Sequence, residues 1–481
     1  MSARSLRGLC HAGLLLLAST LALAGAGCGG GGDSGGKDAF VGPPWPTVMP
    51  VLSTDPPLRG LIHARGVIHL HSPYSHDACD GNGLPDGGSG INEVCLARFR
   101  AAICDDRLDF AMLTDHKTSF AYFPFDKLLL LDAAAGDTAI MKDGSPMANQ
   151  MACPGTSFKP LLMVGHEDRL MPVGLEKHAV DAAGSDANEQ FYAREDLAQA
   201  MTYQQLGAQV LIPHTESRSL ETLRMLAPAL AGIEVFSLHA MMDGRLRSEF
   251  LGLDQAGAVR AFAQFSQEAG AAPDLAFLPA FSPNDNDLGK WAALTAEGIK
   301  LAGVSGCDAH ENVAAIKLSD GDRVDSYRRM IRWATTHVLV TEVTPAGVKA
   351  GIGAGRTLVI FEVYGSPQGF DFHATRAAGG IVEMGGEAAV GDMLEVAPPT
   401  VLGVEAGAQP VRTMRLLRAT AGGWVEVARS PGAIAFPVTS AGAYRAEVLM
   451  TPTHLAPWLG KDPSKYLREV PWIYASPIYV K

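Results

Sequence analysis

The sequence has no excess of positive charge and no clustered run of basic residues. Its 481 residues include 39 Lys and Arg against 51 Asp and Glu, for a formal net charge of -12. A surface that neutralises nucleic-acid phosphates needs a patch of lysines and arginines, and none is visible. A dedicated nucleic-acid surface is therefore not expected. No internal repeat is evident.

The sequence also lacks an apolar run that would span a membrane comfortably. Arg4 and Arg7 precede an apolar stretch over residues 14–26, and the first acidic residue is Asp33. This pattern is typical of a secretory signal, which we assign to residues 1–27. The stretch is too short, and too rich in small residues at its end, for a transmembrane helix.

The end of the signal resembles a bacterial lipobox, LAGAGC over residues 23–28. The resemblance implies cleavage before Cys28, a lipid on its thiol and a flexible glycine-rich linker over residues 28–45. We therefore expect an exported protein, lipid-anchored to a bacterial membrane and facing the cell envelope. Gly25 stands where a branched residue is expected, so simple secretion with Cys28 as an incidental thiol is the alternative.

Cysteine is scarce, with seven in the whole chain. Five remain after Cys10 is removed with the signal and Cys28 is set aside, and an exported protein can oxidise some of them. Cys79 and Cys95 bracket a glycine-rich loop, so a disulfide between them is expected. The odd total leaves at least one thiol unpaired, and the other pairings stay open.

The length predicts more than one domain. Up to residue 362, short apolar runs alternate with helix-like segments over residues 92–104, 194–207, 220–230, 255–269 and 288–298. This alternation favours an α/β fold. From residue 363 the sequence pattern changes. Short segments of alternating apolar and polar residues, which predict strands, are separated by Gly-Gly and Pro-Gly turns, as is typical of a β-sandwich. The sequence therefore predicts an α/β barrel over residues 46–362 and a smaller β-rich accessory domain over 363–481.

Six histidines and three carboxylates lie along the first domain, almost all of them just past its short apolar runs. Such runs suit strands of a parallel sheet that is covered on both faces. In an α/β barrel, the working residues lie at the carboxyl ends of the strands. The residues in question are His69, His71, Asp77, His116, Glu167, His214, Glu234 or His239, Asp308 and His310.

Imidazole and carboxylate are the usual ligands of zinc, manganese and iron. Nine such residues exceed the need of one tetrahedral ion, so they suit a cluster of two or three divalent ions. One histidine at a strand end is more often a hydrogen-bonded structural residue. We interpret His11, His63, His166 and His337 in that way.

The motifs resemble those of the polymerase-and-histidinol-phosphatase (PHP) superfamily. The matching stretches are HLHSPYSHDA (69–78), TDH (114–116), GHE (165–167), PH (213–214) and CDAH (307–310). The resemblance implies a distorted β/α barrel, a two- or three-metal centre and phosphoesterase-type hydrolysis. The ligands it implies are His69, His71, Asp77, His116, Glu167, His214, Asp308 and His310, with His239 as the mid-chain ligand and Glu234 as the alternative.

Residues 344–362 and the β-rich tail ending in SPIYVK resemble the CehA/McbA-type subgroup, which includes hydrolases of carbamates and of phosphoesters. We expect a metal-dependent hydrolase of a small-molecule ester, with a phosphoester as the leading substrate class and a water activated by the metal centre as the nucleophile. A carbamate, amide or ester substrate is the first alternative. A non-catalytic surface lipoprotein that binds metal or a ligand is the second.

Two further residues are candidates for catalytic roles. Asp115, next to His116, could accept a hydrogen bond from a ligand imidazole or cap the following turn. His178 could protonate a leaving group, since in similar proteins a histidine follows the motif glutamate at this distance. Lys117 and Arg169 are further candidates for binding a substrate anion, although each is more often a plain surface residue.

Overall fold

The structure is a computed structural model, and it describes residues 42–52, 57–85, 90–180 and 186–481. The predicted signal, Cys28 and most of the linker lie outside these ranges. No helix in the described ranges is long and apolar enough to cross a membrane.

The chain forms 23 strands and 13 α-helices within the described ranges. The strands of the first part are β1 Ile62–Leu70, β2 Phe110–Leu113, β3 Thr138–Lys142, β4 Ser145–Gln150, β5 Leu161–Val164, β6 Met171–Val173, β7 Gln209–Ile212, β8 Gly232–Ser237, β9 Ala302–Ala309, β10 Thr335–Val340 and β11 Thr357–Ile360. Those of the second part are β12 Pro367–Gln368, β13 Asp371–Thr375, β14 Ile381–Glu383, β15 Glu387–Ala388, β16 Met393–Ala397, β17 Thr400–Val401, β18 Val411–Thr420, β19 Gly423–Ser430, β20 Ile434–Pro437, β21 Gly442–Thr451, β22 Val470–Ala475 and β23 Ile478–Val480.

The described α-helices all lie in the first part of the chain, whereas the second part has short 3-10 helices only. The α-helices are α1 Ala78–Gly81, α2 Glu93–Asp105, α3 Lys117–Phe120, α4 Phe125–Leu128, α5 Asp186–Tyr192, α6 Leu197–Gln205, α7 Leu220–Leu226, α8 Leu238–Met242, α9 Gly244–Leu251, α10 Gly257–Phe265, α11 Asp285–Ala296, α12 Tyr327–Trp333 and α13 Pro345–Gly353. The five predicted helices correspond to α2, α6, α7, α10 and α11. Most are shorter than predicted; the predicted helix over residues 220–230 ends at Leu226 and continues as a 3-10 turn, Ala227–Ala229.

Six strands of the first part run parallel in the order β7-β8-β9-β1-β2-β5. Antiparallel neighbours adjoin this set: β6 pairs with β7, β4 with β5, and β10 with the first half of β1. A single antiparallel bridge between Val164 and Leu175 brings the chain after β6 beside the end of β5. The sheet is therefore mixed rather than purely parallel.

Alternate residues of the parallel strands pack on opposite faces of this sheet. In β2, Phe110 and Met112 belong to a small hydrophobic cluster that includes Val348 of α13, whereas Ala111 and Leu113 belong to the large hydrophobic cluster. Both faces are buried, which explains why the strands read as continuous apolar runs. Gly66 leaves room for the Phe110 ring, because a Cβ at that position would lie 2.2 Å from a ring carbon.

The sheet of the first part continues into the second. β11 pairs with β10 on one side and with β22 on the other, and β22 leads on to β21, β18 and β19. A second antiparallel sheet has the order β14-β13-β16-β20. The molecule is a mixed α/β structure with a large sheet and a β-rich carboxyl-terminal part. The domain boundaries stay predictions.

Two disulfides lie in the first part. Cys79–Cys95 confirms the expected bridge, and Cys104–Cys153 is a second one. Among the described cysteines, Cys307 is unpaired and buried.

Candidate metal centre

The residues proposed as metal ligands come from the carboxyl ends of the parallel strands. His69 lies at the end of β1 and His71 directly follows it; His116 follows β2, Glu167 follows β5 and His214 follows β7. Carboxyl ends of neighbouring parallel strands meet at one edge of a sheet, so residues far apart in sequence come together there.

The carboxylate of Asp308, within β9, is at the centre of one half of the cluster. Its Oδ1 lies 3.2 Å from the Nε2 atoms of both His69 and His71, which are 3.1 Å from each other. Its Oδ2 lies 2.7 Å from His239 Nδ1 and 3.7 Å from His214 Nε2. One carboxylate thus faces histidines from two other strands, β1 and β7, and from α8.

Asp77 and Glu167 complete the other half. The His116 ring lies between them, with Nδ1 2.6 Å from Glu167 Oε2 and Nε2 3.4 Å from Asp77 Oδ2. Asp77 Oδ1 lies 3.5 Å from His310 Nε2, and Glu167 Oε1 lies 3.7 Å from His214 Nε2. The eight residues, with His239, therefore form one connected cluster. Their role as ligands stays a prediction.

Several sets of three side chains in this cluster present donor atoms within 4.8 Å of one another. The sets are His71, His116 and His310; His69, His71 and Glu167; His69, His214 and Asp308; and His76, Asp77 and His116. More than one set with imidazole and carboxylate donors suits more than one divalent ion.

The cluster also contains buried polar atoms without a hydrogen-bond partner. In the described part of the chain, His214 Nδ1, Asp308 Oδ1 and His310 Nε2 have neighbours of opposite charge but no partner in hydrogen-bonding geometry. Buried polar atoms are nearly always satisfied, because leaving one unpaired costs about 1–3 kcal/mol. Bound cations would satisfy the two that face the cluster, Asp308 Oδ1 and His310 Nε2, so the residues present fit a metal centre.

Nearby carboxylates raise the pKa of two of the clustered imidazoles, those of His69 and His214. Burial instead holds the pKa values of His71 and His310 below their usual value. Burial lowers the pKa of His69, but Glu234 and Asp308 outweigh it and raise that pKa well above its usual value. At His214, burial is likewise outweighed by Glu216 and Asp308, which raise the pKa to about 9. Without metal, protons occupy positions of positive charge that divalent ions can take over.

The pKa values of the clustered carboxylates shift downward, because the histidines favour their charged form. Burial raises the pKa of a carboxyl group, but His116 and His214 hold the pKa of Glu167 below its usual value. His310 and His116 lower that of Asp77. Within the described residues, the ion pairs of Asp77, Glu167 and Asp308 are made with histidines alone. The cluster therefore has no lysine or arginine to neutralise it from within.

Glu234, the alternative to His239 as a ligand, lies behind the cluster. Its Oε1 accepts a hydrogen bond from His69 Nδ1 at 2.7 Å and its Oε2 accepts one from the His214 backbone N–H at 2.8 Å. His239 lies at the solvent side, with 45% of its side chain exposed. Of the two, His239 is placed to complete a metal site from the open side.

The two proposed catalytic residues have other partners. The Asp115 carboxylate accepts hydrogen bonds from Ser72 N and Ser72 Oγ rather than from an imidazole, and burial raises its pKa to about 7. The His178 ring contacts Tyr192 Oη at 2.9 Å and Phe123 O at 2.7 Å. Both ring nitrogens are engaged, which favours a role in holding its loop. The catalytic assignments stay predictions.

The candidate anion-binding residues are also paired. Lys117 forms an ion pair with Asp168, and the Arg169 guanidinium lies 3.9 Å from Glu195. His166, interpreted as structural, is fully buried and contacts Tyr203 Oη at 2.9 Å.

Two nearby residues were missed in the sequence. His76 is exposed at the rim, with its ring 5.1 Å from that of His116 and its Nδ1 3.0 Å from Thr118 Oγ1. Glu216 is buried, with its Oε1 3.4 Å from His214 Nδ1. Each lies within two residues of a proposed ligand, and that proximity was the available signal.

No family model and no curated protein matches the chain. Among solved structures it is similar to a two-domain protein containing a predicted PHP-like metal-dependent phosphoesterase from Bacteroides vulgatus ATCC 8482, at 13% identity and TM-score 0.35, over 89% of this chain and 100% of that one. PsfC from Pseudomonas syringae PB-5123 is similar at 13% identity and TM-score 0.32, over 63% and 93% of the two chains.

A third similar structure is the lesion-specific endonuclease PfuEndoQ from Pyrococcus furiosus, at 11% identity and TM-score 0.31, over 66% of this chain and 64% of that one. With identities of 11–13% and TM-scores of 0.31–0.35, the function of this chain has to be inferred from its own site.

Proposed function

We propose that this protein is a metal-dependent hydrolase of the PHP type, with a phosphoester as its substrate. The observation that carries the proposal is the cluster of eight histidine and carboxylate residues at one edge of the parallel strands, with three carboxylates paired to histidines alone. The order β7-β8-β9-β1-β2-β5, with the bridge from β5 back to the segment after β6, supports a distorted β/α barrel as its framework.

Two or three divalent ions, manganese, zinc or iron, would supply Lewis acidity for the scissile ester and make water acidic enough to act as a nucleophile near neutral pH. His69, His71, Asp77, His116, Glu167, His214, His239, Asp308 and His310 would hold them.

The side chains of the chain itself define where a substrate approaches. His69, His71 and His310 are buried, whereas His76 and His239 are exposed on the outer side of the cluster. The substrate therefore enters from the side of His76 and His239. There, the half-buried ring of His116 and the carboxylate of Asp77 are within reach of solvent.

Asp115 supports this arrangement by fixing the turn after β1. Through its two hydrogen bonds to Ser72, it holds the loop that connects His71 to Asp77. In this proposal Asp115 acts by positioning that loop, and His178 acts by fixing the segment around Phe123.

A carbamate, amide or ester substrate on the same centre is the second candidate. It is supported by the resemblance of residues 344–362 to the CehA/McbA-type subgroup. In the structure this segment forms α13, which begins after the capping residue Thr344, and β11.

The decisive experiment measures metal content and turnover together. Purified protein is analysed for bound manganese, zinc and iron and assayed with a chromogenic phosphomonoester, a phosphodiester, an aryl carbamate and an aryl ester. We expect phosphoester turnover that a chelator abolishes and manganese or zinc restores. Turnover of the carbamate alone would select the second candidate. Bound metal with no turnover of any ester would favour a non-catalytic binding protein, and turnover that resists chelation would overturn the metal mechanism.

We also propose that the mature protein is exported and anchored to a bacterial membrane through a lipid on Cys28, with no dedicated nucleic-acid surface. The basic, apolar and small-residue start followed by Cys28 and glycines supports this. Labelling with a fatty-acid analogue in a bacterial host should mark the wild type and not Cys28→Ser. Label on the Cys28→Ser protein would overturn the lipid anchor and leave simple secretion.

A further inference from the structure

One buried carboxylate, that of Glu234 in β8, contacts two of the proposed ligands on two other strands. Its Oε1 lies 2.7 Å from the Nδ1 of His69 at the end of β1, and its Oε2 lies 2.8 Å from the backbone N of His214 after β7. Glu234 is fully buried. Both of its oxygens are therefore engaged within the protein, on the side away from solvent.

The contact with His69 determines which ring nitrogen is free. A carboxylate can only accept, so the hydrogen bond keeps a proton on His69 Nδ1 and makes Nε2 the nitrogen whose lone pair is available to a metal ion. That Nε2 faces the cluster, 3.2 Å from Asp308 Oδ1 and 3.1 Å from His71 Nε2. Carboxylates that accept from the far nitrogen of a histidine in this way fix its tautomer and ring orientation.

The contact with His214 supports an unfavourable backbone conformation. His214 has φ +47° and ψ +51°, in the left-handed region that residues other than glycine seldom adopt. Such a conformation persists only where the surrounding structure imposes it. The hydrogen bond from His214 N to Glu234 fixes this turn and so directs the His214 ring towards Glu167 and Asp308.

The neighbouring strand leaves room for this carboxylate. Gly306 in β9 is paired with Ser237 and lies against the Glu234 side chain, so that a Cβ there would lie 2.4 Å from Glu234 Oε1. Cβ atoms do not approach the heavy atoms of other residues within 3.0 Å, so any side chain at position 306 requires the carboxylate or the strand to shift.

We infer that Glu234 is a positioning residue of the metal centre and not a ligand: its carboxylate sets the tautomer of His69 and the backbone of His214 at the same time. This inference rests on the proposed metal centre. It assigns the mid-chain ligand position to His239, and it requires an acceptor at each oxygen of residue 234.

Glu234→Gln tests this requirement, because an amide provides one acceptor and one donor where two acceptors are needed. Either the amide N–H₂ faces the His214 N–H, or it faces His69 Nδ1 and shifts the ring proton to Nε2, inside the cluster. Both arrangements misplace a ligand.

Gly306→Ala is the second variant, since it keeps the carboxylate and displaces it. Glu362→Gln is the matched control, because Glu362 is likewise buried and lies 2.7 Å from a histidine, His337, outside the cluster.

The measurements are cobalt and zinc binding to each metal-free protein, with the dissociation constant from chelator competition and the ligand geometry from the cobalt absorption spectrum. Removing a carboxylate behind a metal-binding histidine typically weakens binding 10- to 100-fold. We expect weakening in this range and an altered cobalt spectrum for Glu234→Gln and for Gly306→Ala, and the wild-type values for Glu362→Gln. Circular dichroism checks that each protein is folded, and a Glu234→Gln protein that does not fold leaves the decision to Gly306→Ala.

The outcomes separate the two levels of the proposal. A wild-type protein that binds no metal overturns the proposed function and this inference with it. Wild-type binding that is matched in affinity and spectrum by Glu234→Gln, or by Gly306→Ala if Glu234→Gln does not fold, overturns the role of Glu234 alone. Loss of one whole equivalent of metal in Glu234→Gln, with the remaining cobalt spectrum unchanged, also overturns it, because that result identifies Glu234 as a ligand.

Discussion

Two buried pairs of histidine and glutamate lie in or next to the same large sheet, and their surroundings differ. His69 contacts Glu234 and His337 contacts Glu362, each at 2.7 Å. Glu362 is also paired with the fully buried guanidinium of Arg65 at 2.9 Å. The second pair thus has its charge neutralised within the protein, whereas the first opens onto a cluster of imidazoles and carboxylates with no arginine or lysine. Identical local chemistry serves a structural network in one place and a candidate metal centre in the other.

The largest effect is expected from removing a carboxylate at the centre of the metal cluster. Asp308→Asn takes away the charge that faces His69, His71, His214, His239 and His310. We expect kcat/KM on the substrate found in the ester panel to fall at least about 100-fold, with less bound metal per chain, because a direct ligand should matter more than the 10- to 100-fold typical of its hydrogen-bond partners. Metal analysis and initial rates measure this; wild-type values for both would remove Asp308 from the site.

Changing the His337–Glu362 pair should lower stability and leave metal binding unchanged. Glu362→Ala leaves Arg65 as a buried charge without its partner, which typically costs about 3–5 kcal/mol of stability. Urea unfolding should show this loss, while metal content per folded molecule stays at the wild-type value. If instead the variant lost metal and kept its stability, the distinction between the two pairs would be wrong.

The two disulfides allow a second comparison, because a cysteine of one is hydrogen-bonded to a proposed ligand and the other closes a longer loop. Cys79–Cys95 closes 16 residues, and the Cys79 backbone N–H donates to the carbonyl of His310, whereas Cys104–Cys153 closes 49 residues. Loop-closure entropy predicts losses of about 3 kcal/mol and about 4 kcal/mol when the respective cysteine pair is changed to serine. We expect metal affinity to fall only for the first pair, since it holds the segment that follows Asp77.

Chelator competition on both double-serine variants makes this measurement, and urea unfolding gives the stabilities. Equal metal affinities in the two variants would show that the Cys79–Cys95 bridge stabilises the fold without supporting the site.

The smallest effect concerns a buried histidine without a carboxylate hydrogen-bonded to it. Burial lowers the pKa of His166 to about 3, although Glu167 opposes this. The unfolded chain therefore takes up a proton below its pKa of about 6.5 while the folded one does not, so stability is lost as the pH falls from about 6.5 towards 3. Between pH 7.5 and 5, this group contributes a loss of about 2 kcal/mol.

The unfolding free energies of the wild type and of His166→Gln, measured at pH 7.5 and at pH 5, test whether stability falls on acidification as predicted. The variant should lose about 2 kcal/mol less on acidification. A larger loss in the variant would mean that His166 is charged in the folded protein.

Many strands and helices of the first part were predictable, because each depends on a sequence pattern within a short segment. The apolar runs ending at His69, His116 and His214 became β1, β2 and β7, and the helices fell near their expected places. The antiparallel pairings of β10 with β1 and of β11 with β22 were not predicted. Strands of either direction share the same apolar pattern when both faces are buried, so the sequence does not distinguish them.

The sequence by itself determined which residue types follow the strands, and hence the chemistry available: imidazoles and carboxylates in excess of one ion's need. It left the partners open. Glu234 in GIEVF and Glu362 at the end of TLVIFE both accompany apolar runs. Only the tertiary structure decided that the first accepts from a proposed ligand and the second from Arg65, because those contacts join residues 165 and 297 positions apart. A hydrogen bond depends on the distance and direction between two atoms, and for residues this distant the fold alone sets both.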